Sequence, residues 1–240
     1  MATKFDARML NRGGVAARAG EIDEGLRAYM LRVYNYMTTG LALTGLVAYL
    51  VAATPSLYNA IYGTPLVWVI MLAPLGVVLL LSARIHKMSF SAAQTTFWIY
   101  AGLVGLSLAT VFVVFTGASI ARVFFITAGT FAAMSLYGYT TRRDLSRLGS
   151  FLMMGLIGVV IAAVVNMFIA STMLQFLISV VGVIVFVGLT AYDTQAIKEM
   201  YLESDSSEVS GKKAVMGALR LYLDFINLFV MLLYLFGNRE

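Results

Sequence analysis

Apolar residues along this chain gather into seven long runs, at about 33–53, 66–83, 95–115, 120–139, 150–169, 174–193 and 214–236, with short polar connections between them. Several of these runs approach twenty residues without a charge, the length at which an α-helix crosses a hydrocarbon core of about 30 Å. Backbone polar groups in lipid must be satisfied within the segment or in a closed barrel. The runs are continuously apolar rather than alternating, so the pattern predicts helices and not strands. The fold class expected is all-α, a polytopic membrane protein with seven transmembrane helices. Runs 95–115 and 120–139 are separated by Thr116-Gly117-Ala118-Ser119, which reads as a turn.

Composition supports this reading. Hydrophobic residues make up 60% of the 240 residues and charged ones only 12%, about half the charged share of a soluble domain. Residues 1–24 are polar, mixed in charge and carry Gly13, Gly14 and Gly20. They lack the short apolar core and small-residue cleavage site of a secretory signal, and are expected to form a flexible tail ahead of a transmembrane domain at 25–240. The stretch from Ile22 to Tyr36 has helical spacing and is expected near the inner interface.

Charge then sets orientation. Of the 17 Lys and Arg residues, 14 fall ahead of the first run or in connections on one side and Arg220 lies towards that side of the last run, with Arg122 and Arg239 the exceptions. Positive-inside sorting therefore predicts a cytoplasmic N-terminus, with Glu240 outside. The net charge of +5 is accounted for in this way, and the expected partner is the lipid bilayer rather than nucleic acid.

Little enzymatic chemistry is available. There is no cysteine and His86 is the only histidine, which excludes disulfides, thiolate nucleophiles and histidine-rich metal sites. Zinc-protease, phosphate-loop and nucleophile-elbow motifs are missing. The chain is expected not to be an enzyme and to need no cofactor.

Ionisable groups inside the spans are costly and mark candidate sites. Asp224 lies 11 residues beyond Lys213, about 16 Å along a helix, near mid-bilayer. Asp193 lies 19 residues past Leu174, about 28 Å along its helix and close to the inner boundary. Helix counting thus offsets the two carboxylates in depth by about 10 Å, which disfavours an aspartyl protease dyad. Arg220 stands four residues before Asp224 and is a candidate ion-pair partner for it. Arg84 ends the second span and reads as a snorkelling anchor, and Arg122 as another. Asn166, Gln175 and Asn227 are expected to hydrogen-bond between helices. Tyr137, Tyr139 and Tyr192 fit an interfacial aromatic belt.

Two segments carry a resemblance. Gly188-Leu189-Thr190-Ala191-Tyr192-Asp193-Thr194-Gln195-Ala196-Ile197-Lys198 resembles the sixth-helix signature of the Bax inhibitor-1 family, in its bacterial YccA-like branch. Leu221-Tyr222-Leu223-Asp224-Phe225-Ile226-Asn227-Leu228-Phe229 resembles the family's seventh helix. Thr116–Ile120 and Ser135–Thr141 are similar to the same branch, and the resemblance covers about residues 25–237. It implies a bacterial inner-membrane protein whose seventh helix is central and surrounded by the other six. It also implies a pH-sensitive calcium leak, in which Asp193 and Asp224 share protons, form the ion pathway and are candidate calcium ligands. An arginine from the second helix latches one of them, and Arg84 is the candidate. Carboxylates are the oxygen ligands that calcium prefers. The alternative is a non-conducting interaction protein that modulates a membrane-anchored protease.

Overall fold

The computed structural model describes the backbone from Thr3 to Arg239 and side chains from Glu24 to Arg239. All but the last residue of the tail expected at 1–24 therefore lies outside the described side chains. Nine α-helices are present among the described residues: α1 (Thr3–Ala52), α2 (Pro55–Tyr62), α3 (Leu66–Arg84), α4 (Phe90–Leu108), α5 (Val111–Val114), α6 (Gly117–Thr140), α7 (Ser146–Ile169), α8 (Thr172–Glu199) and α9 (Ser207–Phe236). Among the described residues, seven segments are long and apolar enough to cross a membrane: Glu24–Ala52, Leu66–Lys87, Phe90–Val114, Gly117–Thr140, Ser146–Ile169, Thr172–Glu199 and Ser207–Phe236. These are the seven expected spans, most of them longer at the ends.

Hydroxyl caps set several starts. Ser89, Thr116, Ser171 and Ser206 each accept a hydrogen bond from the backbone N–H three residues on, filling one of the free donors of a first turn. Thr116 thus does what its turn-like sequence promised. Two features were not foreseen. The connection at 54–65 folds into α2, started by Pro55 at a position where a missing N–H costs nothing. Its Tyr62 hydroxyl donates to the Leu106 carbonyl at 2.6 Å. The third span also breaks after Leu108 and resumes as the short α5.

The last helix is the axis of the bundle. α9 packs against α1, α4, α6 and α8, whereas α3 lies mainly on α4 and α7 on α8. Four helices, not six, therefore form its immediate sheath. The outer pair is apolar on its exposed faces, with Leu72 and Leu79 on α3 and Phe151 and Phe168 on α7, as lipid-facing helices must be. Small residues allow the inner contacts. A Cβ on Gly138 of α6 would collide with the Ala191 carbonyl oxygen of α8, and one on Gly217 of α9 would stand 2.9 Å from Ile197 of α8. Around α9, Tyr222 meets the rings of Phe97 and Tyr100 on α4, and Phe225 meets Phe124 and Phe131 on α6.

Candidate functional site: a carboxyl pair between α8 and α9

The register of α8 against α9 builds the site. Ile197 lies against Gly217, and farther along the pair Met231 lies against Gly182. Between these contacts Asp193 comes opposite Arg220 and Asp224, which are one turn apart on α9. The carboxyl groups of Asp193 and Asp224 face each other within hydrogen-bonding reach. Asp224 is only 4% exposed. Its Oδ2 has no hydrogen-bond partner among the described residues, as expected where two acceptors meet without a shared proton.

The depth offset expected between the aspartates is therefore not present. It rested on Lys213 as a membrane boundary, but the Lys213 ammonium is folded in. It donates to the Met200 carbonyl at 2.9 Å and to Asp205 Oδ2 at 2.6 Å. Meanwhile α8 runs on to Glu199, so Asp193 lies within the helix rather than at its end.

The arginines are also placed differently. Arg220 Nη1 lies 3.7 Å from Asp193 Oδ1, with side chains 41% and 15% exposed. Its ion-pair partner is thus Asp193, on the neighbouring helix, and not Asp224 on its own. Arg84 is exposed at the end of α3 and makes no ion pair among the described residues. Since α3 packs on α4 and not on α8, the structure does not bring Arg84 to the carboxyl pair, and Arg220 is the cation beside it. Among the described residues no cluster of three or more acidic or histidine side chains is assembled.

Hydroxyl and amide groups surround this pair and fix its helices. Thr194, next to Asp193, exchanges a 2.9 Å hydrogen bond with Ser135 of α6, and Ser135 is also bonded to the Tyr34 hydroxyl of α1. Gln195 donates to the Arg143 carbonyl and accepts from the Leu145 N–H, tying α8 to the α6–α7 connection. Tyr222, two residues before Asp224, bonds Thr44 of α1 at 2.6 Å, and Thr44 also reaches the Ala101 carbonyl of α4. Ser135, Thr194, Gln195 and Tyr222 all stand in the segments that carry the resemblance. Tyr34 and Thr44 had no such signal.

The remaining polar residues sort simply. Asn166 donates to Gln175 across the α7–α8 turn, as expected, whereas Asn227 donates to the Leu223 carbonyl within its own helix. Arg122 donates to the Phe236 carbonyl and so caps the C-terminal end of α9. Tyr192 packs against Gly149 of α7.

A seven-span helical bundle with two facing carboxyls on its central and adjoining helices, one of them buried, defines a membrane protein with an ionisable group at its core. The chain belongs to the family described as "Inhibitor of apoptosis-promoting Bax1", whose model matches residues 26–240. It is 48% identical over 219 residues to inner membrane protein YbhL of Escherichia coli K12, covering 90% of this chain and 94% of that one. It is 50% identical over 218 residues to an uncharacterized protein of Rickettsia prowazekii, covering 91% and 92% of the two chains. An uncharacterized membrane protein of Streptococcus pyogenes is 36% identical over 221 residues, covering 91% and 96%.

Proposed function

We propose that this protein is a pH-sensitive cation leak of a bacterial inner membrane, with calcium as its cargo and the Asp193–Asp224 pair as its switch. The observation that carries the reading is the meeting of a buried carboxyl on α9 with a second carboxyl on α8, beside one arginine. A charged group inside a bundle is expensive, and it persists where it has work to do. YbhL, so similar over its length, carries the description of an inner membrane protein. The basic connections favour a cytoplasmic N-terminus.

The switch follows from the geometry. Two carboxyls in contact titrate as a unit. When the pair is fully charged, Arg220 is attracted to Asp193 and ties α9 to α8. When the pair takes up a proton, that attraction weakens and the helices separate more readily at this end. Cation passage should then rise with acidification. A hard cation such as calcium finds two carboxylate ligands on the path. Arg220 takes the part that the resemblance implied for Arg84.

The test is calcium flux into liposomes holding the purified protein, over a pH series. Wild type should leak more at pH 5 than at pH 8. Asp224→Asn should flatten that response, and Arg220→Ala should raise the leak at pH 8. Flux equal to that of protein-free liposomes at every pH would sink the proposal and favour the interaction protein that modulates a membrane-anchored protease.

A further inference from the structure

Between α1 and α6 the bundle is not closed. A laterally open groove of about 940 Å³ runs between them, with Phe225 of α9 among its lining residues. It continues into a second space of about 330 Å³ that reaches Ala48 and Gly117. Along α1 the lining extends from Arg27 to Ala48, about 31 Å at the helical rise, which is one hydrocarbon thickness. Ala42, Gly45, Ala128 and Ala132 leave the room.

The groove is graded along its length. Arg27 lines its basic end, exposed and without an ion pair among the described residues. On the facing wall is Tyr139, whose carbonyl accepts from Lys198 at 2.9 Å and whose ring lies 5.0 Å beneath the same ammonium. Among the described residues, Glu24 beside Arg27 and Glu199 beside Lys198 form no ion pair with these cations. Seven residues inward from Arg27, about 10 Å, stand the hydrogen-bonded hydroxyls of Tyr34 and Ser135, with Thr38 one turn deeper. Beyond them the lining is apolar, from Leu41 to Phe124. The order is cation, then hydroxyls, then hydrocarbon.

We infer that this groove binds an anionic phospholipid from the leaflet on the basic side. Its phosphate sits between Arg27 and Lys198, its ester oxygens lie at the level of Tyr34 and Thr38, and an acyl chain lies over Phe225. Guanidinium is the side chain best shaped for phosphate. A transmembrane helix from a partner would require an apolar lining at this depth rather than a charge-to-hydroxyl-to-apolar gradient. The inference stands apart from conduction and holds whether or not the protein leaks.

The chain has no cysteine, which makes the test direct. Leu136→Cys, exposed on the rim of the groove, carries a fluorophore, and the protein is placed in phosphatidylcholine bilayers. Brominated phosphatidylglycerol should quench it at a mole fraction about tenfold lower than brominated phosphatidylcholine does, the ratio given by one good charge-assisted contact. Arg27→Gln with Lys198→Gln should erase the difference, Arg27→Lys should keep part of it, and Ala132→Phe should block quenching by both lipids. The same label at the lipid-facing Phe168→Cys should show no preference. Equal quenching by the two lipids at Leu136→Cys, or an undiminished preference in the double Gln variant, overturns the proposal. A wild-type groove shielded from both lipids overturns it in favour of a protein occupant.

Discussion

Asp224 keeps an oxygen, Oδ2, that no group among the described residues satisfies. An unpaired buried acceptor costs about 1–3 kcal/mol, and an amide in its place can donate to Asp193. Asp224→Asn should therefore leave thermal stability in detergent unchanged or raise it by about 1 kcal/mol, even as it flattens the pH response. Asp193→Asn should do the reverse to stability, because it takes away the partner of Arg220. Equal losses in both variants would mean that Oδ2 is not the orphan. Tyr222→Phe removes one of the bonds at Thr44 and should cost about 0.6–1 kcal/mol by the same measurement, with no change in flux. The aspartates could be found from sequence because a carboxylate inside an apolar run is conspicuous whatever surrounds it. Tyr34 and Thr44 could not, since a hydroxyl fits an apolar run unnoticed. Arg220 was assigned to Asp224 rather than Asp193 for a related reason: i to i+4 spacing describes one helix, and the ion pair forms between two.

At the scale of elements, the close approach of α6 to α8 depends on Gly138. Gly138→Ala must push the helices apart, at about 1–3 kcal/mol, and should loosen the Ser135–Thr194 bond one turn away. Gly45→Ala is the control: nothing lies within 4 Å of its added carbon, so its melting point should not fall. The start of α7 has a different anchor. Asp144 Oδ1 accepts from the Ser146 N–H at 2.8 Å, and the Ser146 hydroxyl and backbone hold its carboxyl below the ordinary value of 3.8. A lowered carboxyl stabilises the fold above its unfolded value and loses that contribution as pH falls through the folded one. Amide protection at 146–148, measured against unstructured-peptide exchange at the same pH, should therefore fall below about pH 4, and Asp144→Ala should show the lower protection at neutral pH. Span boundaries were legible because charge and hydropathy change there. The helix α2 and the break after Leu108 were not, since neither alters hydropathy. The break leaves Ala109 buried with Val51 and Ile61, and the partly buried Tyr62 packs there too, so packing against α2 decides it.

For the whole molecule, the orientation expected from the basic connections remains a prediction with a simple check. A reporter in 142–147 should lie in the cytoplasm and one after Glu240 outside, and finding both on one side would contradict it. The central place of α9 has a consequence for how the protein is made. Its 30 residues are translated after the six spans that precede it, a delay of about 2–6 s at 5–20 residues per second. During that interval Asp193 has no arginine, Thr44 has no tyrosine, and four helices stand around a gap. The nascent bundle must be held open by the insertion machinery or by borrowed lipid until its axis arrives. A ribosome stalled in the 200–206 connection would leave a hollow intermediate, and quality-control proteases should clear it far faster than the finished chain.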